Sequence, residues 1–205
     1  MENREAWLEE RKLGVGGSDI PVLFGDVTGE TTYKSITELY LDKIGKLPPV
    51  EENYHMRRGR LMEGVVRHEY SRVTDRFVEI PKPFVWAGGD YLRGNVDGII
   101  YETMEFLSNH ENGGVLEIKC PSMAVFNRIK REGIPLAYQL QLQHYLLVTG
   151  YAWGSFGIWS AEYAEMIPVV DVEADLDIHA EIIERATKFW GHVERREPLP
   201  DDTPP

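Results

Sequence analysis

Two short stretches of this chain hold side chains that could do chemistry together. Leu92-Arg93-Gly94-Asn95-Val96-Asp97-Gly98 carries one carboxylate, and Gly114-Val115-Leu116-Glu117-Ile118-Lys119-Cys120-Pro121 carries a carboxylate and an ammonium two residues apart. In an extended chain successive side chains alternate faces, so Glu117 and Lys119 point the same way while Ile118 turns to the core. Asp97 then needs only a neighbouring strand. Two carboxylates and a backbone carbonyl suffice to hold a hard cation such as Mg2+, which keeps several waters, beside a phosphodiester. The constellation reads as a nuclease site with Lys119 as its third part.

Glu-x-Lys alone is a weak signal, and Glu10-Arg11-Lys12 fits the pattern too, in a polar stretch of helical character. Context separates the second instance: a Gly-Gly turn before it, apolar Val115 and Leu116 entering it, Cys120-Pro121 ending it, and Asp97 in the strand before. The competing reading is a surface ion pair on an ordinary strand.

The elements that must position these residues begin with an amphipathic helix over 4–13 and a turn at Gly14, Gly16 and Gly17, after which Ser18 caps another helix. Exposed N–H groups and a hydroxyl there suit an anion such as a terminal phosphate, although a plain N-cap after a flexible turn explains the same residues. Ser35-Ile36-Thr37-Glu38 is a capping box opening a helix through Lys43. A proline-rich connection over 47–53 leads to a long helix to about 73 that carries Glu63, read plainly as a surface carboxylate paired with Arg60 or Arg67.

Residues 77–119 read as a sheet with strands at 77–80, 84–86, 91–100 and 115–119, joined as an antiparallel meander, with a polar loop or hairpin tip over 102–114. The alternation Gln139-Leu140-Gln141-Leu142-Gln143 suggests a strand. Pro135 and Gly150 at the two ends, with about fifteen residues between them, favour a helix. Tyr138, Gln141 and Tyr145 then share one face, either to orient water or grip a phosphate, or as a half-buried polar face. Strands at 152–159 and 164–172 and a closing helix over 175–195, apolar at Ile178, Ile182, Ala186, Phe189 and Val193, complete the chain.

A length of 205 residues with 42% hydrophobic content allows one sizeable core. The expected organisation is a single domain over 1–197: N-terminal helices at 1–76, central sheet and active site at 77–150, C-terminal strands and helix at 151–197. Residues 198–205 are expected as a flexible tail. No apolar run is long enough to span a bilayer and no secretory segment opens the chain, so a cytoplasmic location is expected, that of a bacterial host if the chain is phage-encoded. Cys120 is the lone cysteine, which excludes an internal disulfide and a multi-cysteine zinc or iron-sulfur site. The six histidines are scattered and suggest no histidine catalysis.

A net charge of -12 is unusual for a protein that approaches a polyanion. Its distribution matters: residues 162–205 hold 12 acidic and 4 basic side chains, so most of the imbalance is C-terminal. Arg57, Arg58, Arg60, Arg67, Arg72 and Arg76, with Arg128, Lys130 and Arg131, are candidate phosphate contacts or a solvated helix face.

The wider pattern resembles the lambda exonuclease and YqaJ-type viral recombinase family, a branch of the PD-(D/E)XK nuclease superfamily. It is carried by Trp7 with Arg11 and Gly14-Val15-Gly16-Gly17-Ser18-Asp19, by Met56-Arg57-Arg58-Gly59-Arg60-Leu61-Met62-Glu63, and by Asp97-Gly98. Glu117-Ile118-Lys119-Cys120-Pro121 and Tyr138-Gln139-Leu140-Gln141-Leu142-Gln143, closed by Val148-Thr149-Gly150, complete it. Val96 stands where the superfamily's eponymous proline would, and the 102–114 loop is longer than compact members need.

The resemblance implies an α/β (α+β) fold with a restriction-endonuclease-like core, a mixed central sheet flanked by helices. It implies Mg2+, with Mn2+ as substitute, on Asp97, Glu117 and the Ile118 carbonyl, Glu63 near a second metal position, and Lys119 and Gln141 as catalytic groups. Arg11 and Ser18 match the family's positions for the 5′-phosphate, with Tyr138 beside Gln141. The implied activity is 5′-to-3′ resection of linear double-stranded DNA, by a ring-shaped trimer, leaving single strands for an annealing protein. The alternatives are a single-strand or structure-selective endonuclease of the same superfamily, or a non-catalytic DNA-binding or adaptor protein on the nuclease fold.

Overall fold

The computed structural model describes residues 4–28, 33–48, 50–81, 86–88, 91–103 and 112–200. Helix α1 spans Arg4–Lys12 and contains Glu10-Arg11-Lys12, which is therefore helical and not on a strand. Two single-turn helices follow, α2 (Ile20–Leu23) and α3 (Gly25–Thr28). Helix α4 (Ile36–Lys43) is opened by the expected box: Glu38 N donates to Ser35 Oγ at 3.2 Å and Ser35 N donates to Glu38 Oε2 at 2.7 Å. The long helix α5 runs Tyr54–Thr74, capped by Asn53 and stopped at Asp75, which takes a left-handed conformation with φ 57°.

Among the described residues the main sheet has six strands. Strand β1 (Phe77–Glu79) pairs antiparallel with β4 (Gly98–Tyr101), and β4 pairs antiparallel with β5 (Gly114–Lys119). Strand β5 then runs parallel to β6 (Trp153–Ser160). A parallel pair needs a crossover, and α6 (Met123–Glu132) and α7 (Leu136–Thr149) supply it. Strands β7 (Glu165–Met166) and β8 (Val170–Glu173) pair antiparallel with β6, and α8 (Leu176–Arg195) closes the chain on an Asp175 cap. Leu116 and Ile118 of β5 pack against Val66 and Tyr70 of α5, while Val115 on the other face joins Phe126, Leu142 and Phe156. A third cluster, with Val15, Ile20, Leu39, Leu140, Ile182 and Phe189, binds the N-terminal turns to α7 and α8.

Three expectations need correction. The strands between 77 and 119 do not form a meander: β2 (Trp86–Gly88) and β3 (Leu92–Gly94) pair with each other, outside the main sheet. The reason is a competing partner, since Val15 N donates to the Tyr91 carbonyl at 2.7 Å and Arg93 N donates to the Val15 carbonyl at 2.9 Å. The strand expected over 91–100 is therefore two strands separated by Asn95-Val96-Asp97. The strand expected over 164–172 likewise splits, with Pro168 between the halves lacking the N–H a ladder needs. Ser18 caps no helix; it lies inside a 3-10 turn, Gly17–Asp19, that Gly16 precedes. The expected strand residues Phe84 and Val85, most of the 102–114 loop, and 201–205 of the tail lie outside the described residues.

Candidate active site

Strand β5 carries Glu117 and Lys119 on the face turned to α7, and Helix α7 presents Tyr138, Gln141 and Tyr145 at helical spacing. Lys119 Nζ lies 2.6 Å from Glu117 Oε1 and donates to Gln141 Oε1 at 2.8 Å. The same ammonium sits 4.8 Å from the centre of the Tyr138 ring. Gln141 Nε2 donates in turn to the Tyr145 hydroxyl at 3.1 Å. Donation thus spreads from Lys119, on one side to Glu117 and on the other through Gln141 to Tyr145.

Asp97 enters from the turn before β4. Because Gly98 pairs with Leu116, Asp97 falls beside Glu117, and its Oδ2 accepts the Ile118 N–H at 2.8 Å. Arg67 of α5 donates to the Asp97 carbonyl at 2.9 Å and lies 3.8 Å from Glu63 Oε2, so one guanidinium ties Asp97 to the helix that carries Glu63. The structure therefore brings together Asp97, Glu117, Lys119, Gln141 and Tyr138, with Glu63 at the margin.

Electrostatics follow from burial. Glu117 is 2% exposed, and desolvation pushes its carboxyl up to about 7; Lys119 works against this and Asp97 adds to it. Asp97 is raised by burial, against the Ile118 N–H, Lys119 and Arg67. Glu63 is raised by burial and by Asp97, with Arg67 opposing. Burial would lower Lys119, but Glu117, Asp97 and Tyr138 together outweigh it and the ammonium is raised. The two buried carboxylates here face Lys119 and Arg67, while Arg60, already paired with Glu52, reaches only Glu63.

Among the described residues no three His, Cys, Asp or Glu side chains group closely enough to hold a metal ion by themselves. The donors that do meet, two buried carboxylates with Glu63 nearby, are all oxygen and carry more negative charge than Lys119 and Arg67 offset. That donor chemistry fits a hard divalent cation completing its shell with water.

A second cluster forms at the glycine turn. Arg11 donates to Ser18 Oγ at 2.9 Å and stands 3.8 Å from Asp19 Oδ1. Asp19, 1% exposed, pairs with Lys43 Nζ at 2.6 Å and accepts the Gly16 N–H at 2.9 Å, while Lys43 also donates to the Arg11 carbonyl at 2.7 Å. Burial raises the Asp19 carboxyl, yet Lys43 and Arg11 outweigh it and hold it below the usual range; burial pulls Lys43 down, with Asp19 opposing. Since only a 3-10 turn and one turn of helix follow, an anion here would rest on Arg11 and Ser18 side chains rather than on a helix end.

Sequence reasoning passed over Asp19, Lys43 and the bridging role of Arg67. A lone carboxylate directly before the apolar run Ile20-Pro21-Val22-Leu23 was the available signal for Asp19; Lys43 and Arg67 meet their partners only through the fold. The candidate phosphate contacts are largely engaged within the chain: Arg58 with Glu162, Arg60 with Glu52, Arg72 with Glu69, Arg76 with Asp171, Lys130 with Glu165 and Arg131 with Glu132. His144 is buried against the Arg93 carbonyl and lowered to about 4, a neutral packing group.

The YqaJ-like viral recombinase domain matches residues 6–152. The uncharacterized protein YqaJ of Bacillus subtilis (strain 168) is 31% identical over 150 residues, 72% of this chain but 43% of that protein, so this chain spans less than half of that relative's length. Among solved structures, the alkaline exonuclease LHK-Exo from Laribacter hongkongensis superposes with a TM-score of 0.71 at 22% identity, covering 94% of this chain and 93% of that one. LHK-Exo in complex with dAMP gives 0.73 at 21% identity with the same coverage. A phage-related exonuclease from Haemophilus somnus 129PT gives 0.63 at 13%, covering 90% and 95%. These structural likenesses establish a shared fold: a mixed, helix-flanked sheet of the alkaline exonuclease type. The match across 6–152 takes in the glycine turn, Glu63, Asp97, Glu117, Lys119 and the Gln141 helix, and by it this chain belongs to the YqaJ-like viral recombinase domain family.

Proposed function

We propose that this protein is a divalent-metal-dependent DNA exonuclease that hydrolyses linear double-stranded DNA from its 5′ ends, leaving single strands for an annealing-type recombination partner. The observation that carries the reading is the pair of buried carboxylates, Asp97 and Glu117, with Lys119 held between Glu117 and Gln141. Asp97, Glu117 and the Ile118 carbonyl would hold Mg2+, with Mn2+ as a substitute and Glu63 near a second position. Such an ion supplies Lewis-acid charge and eases deprotonation of water.

The chain's own groups do the rest. An ammonium has three donors, and Lys119 gives two to Glu117 and Gln141, leaving one to orient the attacking water or offset charge on the phosphorane oxygens. Gln141 fixes the ammonium's direction and Tyr138 covers it with an aromatic face. Arg11 and Ser18 hold the terminal 5′-phosphate, which sets where on the strand hydrolysis falls. A trimeric ring around the product strand is part of this reading, in which the acidic C-terminal third would serve as a subunit contact or as repulsion that aims DNA inward.

The test is incubation of 5′-phosphorylated linear duplex with Mg2+, with and without chelator. The expected result is release of nucleotides that stops with chelator, is slower on 5′-hydroxyl ends, and spares circular DNA. Cleavage of circles would replace the exonuclease with a structure-selective endonuclease, and metal-independent or absent hydrolysis would overturn the reading.

A further inference from the structure

Tyr145 is where the two clusters touch. Its hydroxyl accepts from Gln141 Nε2 at 3.1 Å, at the end of the path of donation that begins on Lys119. Its ring is also the floor of the glycine turn: a Cβ added to Gly17 would lie 2.6 Å from Tyr145 Cε1 and 2.7 Å from Cζ, distances no side chain tolerates. A Cβ on Gly94 would come within 3.0 Å of Cδ1 of the same ring. The turn that presents Ser18 to Arg11 and the strand leading to Asp97 therefore both close on one side chain. Burial, with Glu117 and Asp97 adding to it, holds the phenol well above its usual value, so it acts as a hydrogen-bonding group and not as a base.

We infer that Tyr145 is a positioning residue that fixes the Gln141 amide, and through it the Lys119 ammonium, in register with the Arg11–Ser18 turn. Lys119 requires the amide oxygen of Gln141 to face it; the amide nitrogen must then find an acceptor, and Tyr145 is that acceptor. The ring's rigid seat against Gly17 fixes where that acceptor stands. The consequence for turnover rests on the hydrolytic reading above, whereas the fixing of Gln141 does not.

Tyr145→Phe keeps the ring and its two glycine seats and removes only the acceptor, so it tests the inference without emptying the core. The Gln141 side-chain amide resonances, read by NMR in the metal-free protein, should shift and exchange faster with solvent. On 5′-phosphorylated linear duplex kcat should fall by about fivefold, the worth of one hydrogen bond, with KM unchanged. In a Gln141→Leu background Tyr145→Phe should have no further effect on kcat. Gly17→Ala, which pushes the ring away, should lower kcat and the preference for 5′-phosphorylated ends together. Unaltered Gln141 resonances in Tyr145→Phe, effects that multiply in the double variant, or a Gly17→Ala protein that loses only its end preference would each overturn the inference. If the unaltered protein hydrolyses nothing, the proposed function fails while the amide resonances still decide the positioning role.

Discussion

This fold buries carboxylates at two places and treats them in opposite ways. At the glycine turn Asp19 meets two cations, Lys43 and Arg11, together with the Gly16 N–H, and is held below the usual range. Around the other, Glu63 on α5, Asp97 in the turn before β4 and Glu117 on β5 meet Lys119 and Arg67, with Arg60 reaching only Glu63, and all three are raised. Burial opposes ionisation at both places, so the difference lies in the balance of nearby charge. The first cluster is balanced in charge, although Asp19 Oδ1 accepts no hydrogen bond, and serves as scaffold for Arg11. The second lacks positive charge, which is the condition a divalent cation relieves.

Substitutions can break this contrast from either side. Lys119→Ala should have the largest effect, a loss of about a thousandfold in turnover, with DNA association by fluorescence anisotropy and circular dichroism little changed. A variant at full rate would remove the lysine from the chemistry. Next comes the scaffold: Lys43→Met leaves Asp19 buried without its closest partner and should cost about 3–5 kcal/mol in unfolding free energy by denaturant titration. Glu117→Gln removes a carboxylate that burial already disfavours, so in chelator its melting temperature should equal or exceed that of the unaltered protein. Similar losses from both would erase the distinction between the clusters.

A smaller effect sharpens it. Burial raises Glu117 from 4.5 to about 7, so the folded protein holds this proton more tightly than the unfolded chain does. Metal-free stability should therefore decline as pH rises from about 4.5 to about 7, the opposite sense to Asp19, whose contribution fades as pH falls below the ordinary carboxylate range. Divalent-cation affinity, which competes with the Glu117 proton, should climb over pH 5 to 7 by up to about tenfold per unit and then level off. Affinity flat across that range would remove Glu117 from the ligand set. Smallest is Ser18→Ala, which takes a hydroxyl from Arg11 and should narrow the preference for 5′-phosphorylated ends by about fivefold in paired rate measurements.

The active-site half of this contrast was legible in the chain because alternation in a strand fixes faces locally. Once Gly114 to Cys120 reads as a strand, Glu117 and Lys119 must share a side, and Pro135 and Gly150 delimit the helix that brings Gln141. The scaffold half was not legible. Asp19 and Lys43 are joined across separate helices, and Arg67 reaches the Asp97 carbonyl from α5. The departure of β2 and β3 from the sheet has the same origin: Val15, from outside 77–119, pairs with Leu92, and no periodicity in 77–119 records that partner. Ser18 was misread as a cap because its hydroxyl looks locally like one, while Arg11, seven residues earlier, claims it.

The most direct test of the charge-deficit claim is calorimetric titration of Mn2+ into the metal-free protein at pH 8, beside Glu117→Gln and Asp97→Asn. The account predicts saturable binding to the unaltered protein that both substitutions abolish, with Asp19→Asn leaving it intact. Equal binding by all four proteins, or binding lost only in Asp19→Asn, would contradict it.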